Sequence, residues 1–284
     1  MVFIATAPMM LSWLCTSADG RANRSILANP GIAGPMESCA EWFKAGYRKS
    51  GLYRLKLMGL AFNALCDMET DGGGWTFIQR RVDASCNFYR DWSSYKFGFG
   101  NNLKTMEKNF WLGNDIIHLM TSRSKNGGLT LRIDLADCDD WERYEYYRGF
   151  SIEDEQHDYR LHVCGCRTGT AEDSLANSQF HCGTADNMKF TTYDRDNDMV
   201  PLINCAEKRK SGWWFNCCGT SNLNGVWHRG CCWSQLHGCD DGIHWYTWLQ
   251  DNTSLVRTGM MVRPQDFPSE VLSVACDHKS RDQT

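Results

Sequence analysis

The protein has 284 residues, of which 42% are hydrophobic and 23% are charged. This length and composition are enough to bury a core, and they exclude a disordered chain. The 30 Lys and Arg residues against 34 Asp and Glu residues leave a formal charge of −4. Such a charge gives no general attraction for phosphate backbones or anionic lipid, so we expect no nucleic-acid partner.

The cysteine content points to an oxidising compartment. Fifteen cysteines occur without any Cys-x-x-Cys pair, which favours disulfides over metal sites. Residues 1–18 carry no charged side chain, include an apolar stretch and end in Thr16-Ser17-Ala18, which is typical of a secretory signal peptide. No other apolar run reaches the ~20 residues of a membrane span. The sequence therefore predicts a secreted, extracellular protein with no membrane span.

Residues 19–37 are rich in Gly, Ala, Asn, Pro and Ser and predict a flexible linker. Ser38 and Glu41 then form a capping-box pattern, in which each side chain accepts a hydrogen bond from the other residue's amide. This pattern predicts a short helix, and Gly51 is the expected stop.

The next elements follow from hydrophobic periodicity. Alternation from Leu52 to Cys66 predicts a β-hairpin, and residues 72–74 are glycines that allow a sharp turn before a strand. A second helix is predicted from Asn114, and a half-buried strand over 129–135. The helix is expected to bury Ile116, Ile117, Leu119 and Met120. Beyond residue 190 the periodicity fails, which indicates a loop-rich segment held by covalent or ionic links.

Several motifs occur in a fixed order along the sequence. They are residues 66–76 (CDMETDGGGWT) with 79–81 (QRR), 110–115 (FWLGND), 194–198 (DRDND), 212–215 (GWWF), 221–225 (SNLNG) and 261–264 (MVRP). In this order they resemble the motifs of fibrinogen-related domains, from about Ser38 to Phe267. The predicted fibrinogen-like domain therefore spans 38–267, and 268–284 form a C-terminal tail.

The resemblance implies an α+β fold. It has a small disulfide-closed N-terminal part, a central antiparallel sheet with helices, and a loop-rich C-terminal part that carries calcium and ligand sites. The two disulfides that it implies join Cys39 to Cys66 and Cys205 to Cys218. The first would tie the capped helix to the strand before the glycine turn, and the second would close a 14-residue stretch beside the acidic cluster.

An acidic segment indicates a cation site. Asp194, Asp196 and Asp198 occupy alternate positions, and Ca²⁺ would relieve their repulsion because it collects about 6–8 oxygen ligands. The spacing excludes an EF-hand, which needs a glycine at position six and a glutamate at position twelve. The resemblance implies side-chain ligands at Asp196 and Asp198, a carbonyl ligand at Val200, and another at either Leu202 or Ile203. The stretch before Cys205 is one residue longer than the common family spacing.

Lectin-like members of the family, such as ficolins and tachylectins, have a pocket for acetyl groups beside the calcium site. Its walls are aromatic rings and a histidine. The positions of the present sequence that correspond to this pocket are Arg209, Cys218 with Gly219, Cys239 with Asp240, and Asp251. Charged residues there do not suit a methyl-sized pocket, so the loops are expected to recognise charged or hydroxyl-rich ligands instead.

Ten cysteines exceed the usual family set, and they can pair within the fold, between protomers or around a metal. Cys239 lies in the changed pocket, where a local bridge would reshape the ligand loop. Cys276 lies beyond the domain and is the candidate for a disulfide-linked oligomer.

No nucleophile, phosphate-loop or metalloprotease motif occurs, so the protein is expected to bind rather than to catalyse. Two hypotheses follow. The first is a calcium-dependent lectin that recognises glycans in innate immunity. The alternative is an angiopoietin-like ligand of a cell-surface glycoprotein receptor, favoured by residues 259–267 (GMMVRPQDF).

Overall fold

A computed structural model shows the fold of the protein. The described residues are 36–100, 108–123, 128–164, 168–176, 184–228, 239–249 and 253–268. The predicted signal peptide, Asp251 and Cys276 lie outside these ranges. Among the described helices, none combines the length and the apolar character that crossing a bilayer requires.

The N-terminal part begins with a short helix, α1, at Cys39–Lys44. Ser38 caps it as predicted, because its hydroxyl accepts the Glu41 amide at 3.2 Å. The Glu41 carboxylate, however, accepts from the amide of Glu37 and not from that of Ser38. Gly51 is not the helix stop: the helix ends at Lys44, and Gly51 opens the first strand.

The predicted hairpin is confirmed as β1 (Gly51–Leu57) and β2 (Leu60–Asp67). Along β1, the buried leucines and tyrosine alternate with exposed Arg54 and Lys56. Met36 forms a bridge with Leu55, so the folded part begins before Ser38, within the segment predicted as linker. A small hydrophobic cluster, separate from the main core, packs α1 against this hairpin.

The central sheet of the domain is antiparallel, as predicted. Its other strands are β3 Trp75–Arg81, β4 Phe99–Gly100, β5 Phe110–Trp111, β6 Leu129–Ala136, β7 Glu142–Ile152, β8 Leu161–Cys164 and β11 Arg257–Pro264. The main strands lie in the spatial order β1-β2-β3-β11-β6-β7-β8, with β4 and β5 attached to β3. Strand β11, which comes from the C-terminal end of the domain, thus inserts between β3 and β6 and joins the two halves of the sheet.

The turn before β3 depends on glycine. Residues 72–74 all have φ near +78°, and a Cβ at Gly73 would lie 2.4 Å from the Met68 carbonyl oxygen. A side chain therefore does not fit there. This confirms the sharp turn predicted from the three glycines.

Two further helices pack near the sheet. They are α2 at Trp92–Phe97 and α3 at Asn114–Ser122. Of the four α3 residues expected to be buried, Ile117 and Met120 are buried, whereas Ile116 and Leu119 are only half-buried. The helix therefore presents a narrower apolar face to β7 than the sequence predicts.

The C-terminal part is loop-rich, as expected. Its elements are α4 Cys205–Lys208, β9 Ser221–Asn222, β10 His244–Trp245 and α5 Tyr246–Leu249. These loops nevertheless contribute to the main core, because Trp213, Trp214, Trp245 and Phe190 are fully or almost fully buried in it. The disulfide between Cys205 and Cys218 provides the expected covalent link, and aromatic packing stabilises the segment as well.

Candidate functional site

The predicted calcium residues lie on the loop that leads into α4. Asp196 is exposed and Asp198 is half-buried. One oxygen of Asp198 accepts the Val200 amide at 2.7 Å, and the other accepts the Cys205 amide, also at 2.7 Å. Leu202 is fully exposed and has a left-handed backbone, with φ of 71°, within the stretch that is longer than the family spacing.

Electrostatics in this loop favour a cation. Burial, the largest cause, and the neighbouring Asp196 carboxylate raise the pKa of Asp198, while the two amide hydrogen bonds lower it. The carboxylates of Asp196 and Asp198 are oxygen ligands of the kind that Ca²⁺ binds. Each Asp198 oxygen that accepts an amide keeps a second lone pair for an ion. Within the described ranges no group of three or more His, Cys, Asp and Glu side chains is arranged to hold a metal. The acidic loop thus offers two neighbouring carboxylates, Asp196 and Asp198, as possible oxygen ligands.

Asp194 has a different role from its acidic neighbours. Its Oδ1 accepts the Trp92 amide at 2.9 Å and the Thr192 hydroxyl at 2.7 Å. The next residue, Arg195, pairs with Asp158 and lies 4.0 Å from the Trp92 ring centroid. This side of the acidic segment therefore anchors the loop to the start of α2.

The loop is also fixed at its other end. Asn204 donates to the carbonyls of Thr192 and Tyr193 at 3.1 and 3.2 Å, and its side-chain oxygen caps α4. The disulfide between Cys205 and Cys218 joins α4 to the segment after the tryptophan pair. Hydrogen bonds and the disulfide thus hold this segment at both ends.

Two of the predicted ligand positions, Arg209 and Asp240, meet in the structure, and Arg209 is only 8% exposed. Its guanidinium donates to the Asp240 carbonyl oxygen at 2.5 Å, across 31 residues of sequence. Asn222 joins the same cluster by donating to the Arg209 carbonyl at 3.2 Å. A buried cation therefore occupies the place of an apolar pocket wall.

Sequence reasoning missed His244, which lies beside Arg209 and is 2% exposed. Burial, and then the charge of Arg209, lower the pKa of His244 to about 3, so the imidazole is neutral at physiological pH. Within the described part of the protein, neither His244 Nε2 nor Arg209 Nε has a hydrogen-bond partner. The sequence signal was a histidine within the apolar stretch that follows Asp241-Gly242.

Among the other predicted ligand residues, Cys218 and Cys239 are buried, Gly219 is half-buried and Asp240 is exposed. Cys218 is buried in its disulfide, and Gly219 follows it with φ of 68°. Cys239 is 3% exposed and disulfide-bonded, and its carbonyl accepts the Gly242 amide at 2.7 Å. Cys86, Cys138 and Cys217 are also disulfide-bonded. Cysteine pairing is thus part of the pocket loop, while Asp251 lies outside the described residues.

Comparisons with known proteins agree with this architecture. The family model for the C-terminal globular domain of the fibrinogen beta and gamma chains matches residues 36–265. Fibrinogen-like protein 1 of Bos taurus is 46% identical over 238 residues, which are 81% of this chain and 72% of that protein. Angiopoietin-related protein 7 of Bos taurus is 40% identical over 81% of this chain and 62% of that protein.

A solved structure shows the same fold. The lamprey fibrin D-dimer, complexed with the peptide ligand Gly-His-Arg-Pro-amide, superposes with a TM-score of 0.77 at 32% identity. The match covers 93% of this chain and 83% of that chain. The protein belongs to the family of fibrinogen C-terminal globular domains.

Proposed function

We propose that this protein is an extracellular, non-enzymatic recognition protein that binds a cell-surface protein receptor through its loop-rich C-terminal part. The observation that carries the proposal is the hydrogen bond from buried Arg209 to the Asp240 carbonyl. A sugar-binding pocket for an acetyl methyl needs an apolar wall at this place, whereas a buried cation and a fixed loop suit a polar protein surface.

The relatives support this hypothesis better than the lectin hypothesis. They carry the names of fibrinogen and angiopoietin, and the lamprey relative is complexed with a peptide. The disulfides that close both ends of the domain support an extracellular location, because such bonds persist in oxidising compartments.

Calcium forms a second part of the proposal. Asp196 and Asp198 would hold Ca²⁺ with their side chains, and the carbonyls of Val200 and Leu202 would complete the shell. Bound Ca²⁺ would supply positive charge that cancels the repulsion between the two carboxylates. Because hydrogen bonds already order the loop, the ion would add stability to a formed surface.

The experiment uses the disulfide-intact protein in two screens. We expect a glycan array to be silent both in millimolar calcium and in chelator. We expect a display library of receptor ectodomains to contain a partner whose binding is saturable and is not inhibited by N-acetylglucosamine. Glycan-array binding with elution by simple sugars would overturn the proposal in favour of a lectin.

A matched pair of variants locates the surface. Arg209→Ala should weaken receptor binding at least tenfold, because it removes the residue that fixes the Asp240 loop. Lys208→Ala removes an exposed charge one residue away and should change binding little. Equal effects of the two variants, at unchanged unfolding temperatures, would place the receptor surface elsewhere.

A further inference from the structure

The outer face of the central sheet contains a groove of about 470 Å³. We call it the Gly259 groove, after the glycine in its lining. The residues that define it are Phe77, Arg80, Arg132, Asp134, Tyr144 and Arg257. It shares no residue with the loops around Arg209, so it is a separate surface of the domain.

Gly259 lies in the lining of this groove, next to the edge of the Phe77 ring. In β11, Gly259 pairs with Arg80 of β3 on one side and Asp134 of β6 on the other. A Cβ at Gly259 would lie 2.9 Å from the Phe77 ring, yet the backbone there has no left-handed φ that would require glycine. Glycine inside a central strand weakens the strand, and it often marks a place where another group approaches closely.

The groove is positively charged within a protein that is negative overall. Four of its lining arginines are at least partly exposed, namely Arg80, Arg132, Arg143 and Arg257, against the carboxylates Asp134 and Glu142. The local formal charge from these six residues is therefore +2, whereas the formal charge of the whole protein is −4. An anionic partner is the electrostatic complement of this surface.

Arg132 is pre-positioned for recognition. Its guanidinium lies 4.4 Å from the centroid of the Tyr144 ring, and its Nε donates to Asp134 at 2.8 Å. Tyr144 and Phe77 supply aromatic walls on either side of Gly259. A rigid arginine between aromatic walls is suited to a carboxylate next to an apolar side chain.

Arg257 forms the more exposed rim of the groove. It pairs with Asp140 at 2.8 Å and with Glu142 at 3.3 Å, and its side chain is 42% exposed. Exposed ion pairs of this kind contribute little, about 0–1 kcal/mol, so the guanidinium can exchange them for a ligand carboxylate at small cost.

We propose that the Gly259 groove binds an acidic peptide segment of a protein partner. An aromatic side chain of that segment packs in the groove beside the Phe77 ring, and flanking carboxylates pair with Arg80, Arg132 and Arg257. The concave aromatic walls favour a peptide over a sulfated polysaccharide, since a polysaccharide needs an open row of cations more than a cavity.

The groups around Asp134 make this binding sensitive to pH. Arg132 faces Asp134 from the same strand, while Asp67 of β2 and Glu142 of β7 add negative charge. Burial raises the pKa of Asp134 to about 6, against the lowering effect of Arg132. Protonation of Asp134 removes a negative charge from the groove, so an acidic peptide should bind more tightly at pH 5.5 than at pH 7.5.

The test is fluorescence anisotropy with a labelled heptapeptide that has a central tyrosine and two acidic residues on each side. We expect saturable binding that Gly259→Leu weakens at least tenfold, because the leucine fills the cavity. Arg257→Gln should weaken it about threefold or more through loss of one charge-assisted contact, roughly 0.7 kcal/mol. Arg54 is an exposed residue of β1 outside the groove, so Arg54→Gln should leave the affinity for the peptide unchanged.

Two results would overturn the proposal. One is absence of peptide binding, or equal binding of a peptide with lysines in place of the acidic residues. The other is binding of a heparin oligosaccharide that competes with the peptide and is indifferent to Gly259→Leu, which would mark a polysaccharide surface. If Gly259→Leu fails to fold, Arg257→Gln against Arg54→Gln decides the question. None of these measurements involves the receptor surface around Arg209, so the two proposals fail separately.

Discussion

His244 shows how one buried side chain sets a pH limit for the fold. Its pKa is about 3 in the folded protein because of burial and the nearby Arg209. The unfolded protein takes up that proton near the ordinary histidine pKa of about 6.5. Stability from this residue is therefore complete above that pH and is lost as the pH falls from there towards 3.

We predict that His244→Leu makes the domain less sensitive to acid. At pH 5 the wild type should lose about 2 kcal/mol of unfolding free energy through this group, since each pH unit corresponds to about 1.4 kcal/mol. Urea unfolding at pH 7 and pH 5 measures the loss. The neighbouring buried Ile243 provides the control variant Ile243→Leu, which changes no titratable group and should keep the wild-type pH slope. The same slope in His244→Leu would show that the imidazole is not held neutral.

Asp196 tests the calcium proposal at one side chain. Millimolar Ca²⁺ should raise the unfolding temperature of the wild type, because the ion cancels the repulsion between Asp196 and Asp198. Asp196→Asn should abolish most of that rise, whereas Asp139→Asn, an exposed aspartate on another loop, should retain it. Calorimetry in calcium and in chelator compares them, and an identical shift in all three proteins would exclude Asp196 as a ligand.

At the scale of elements, the acidic loop is attached to α2 through Asp194. Both of its contacts need only an acceptor oxygen, because the Trp92 amide and the Thr192 hydroxyl donate to it. Asp194→Asn should therefore preserve stability and the calcium response. Asp194→Ala should cost about 1–2 kcal/mol, as expected when a helix start loses its acceptor. Loss of the calcium shift in the Asn variant would instead make Asp194 a ligand.

Arg263 joins the parts of the molecule into one folding unit. It is 1% exposed, donates to the carbonyls of Asp71 and Gly73 at 2.8 and 2.9 Å, and pairs with the Asp71 carboxylate at 3.0 Å. It thereby connects β11 with the turn of the N-terminal part. The Trp75 ring, 4.0 Å from its guanidinium, covers the contact.

Removal of this arginine should destabilise the whole domain. Arg263→Leu removes the ion-pair partner of the largely buried Asp71 carboxylate, and losses of about 3–5 kcal/mol are typical when one partner of a buried pair is removed. Arg132→Leu removes a half-buried arginine from the same sheet face, and we expect a smaller loss. Equilibrium urea unfolding with intact disulfides measures both. An equal loss in the two variants would contradict the special role of Arg263.

The sequence predicts much of the scaffold because local rules govern it. Alternation identifies the hairpin of β1 and β2, and the capping pattern at Ser38 identifies the start of α1. The end of that helix was misplaced because the sequence does not show that the backbone turns at Gly46, where φ is 97°. The aromatic core of the C-terminal part has no periodicity that could reveal it.

In the candidate sites, too, local sequence patterns predict some features, and only the fold shows the others. The acidic motif predicts calcium ligands at Asp196 and Asp198, which stays a prediction, and only the fold shows that Asp194 contacts the start of α2. Contacts such as Arg209 with Asp240 join segments 31 residues apart, and local patterns carry no such information. The Gly259 groove likewise exists only because β11 inserts between β3 and β6, a long-range pairing that periodicity does not specify.

A binding assay on cells distinguishes a surface protein from a surface glycan as the partner. Labelled, disulfide-intact protein is added to receptor-bearing cells after removal of surface N-glycans and sialic acid, and in parallel after mild trypsin treatment. We predict that binding survives glycan removal and is lost after trypsin. Binding that disappears with the glycans, and that N-acetylglucosamine elutes from untreated cells, would contradict it.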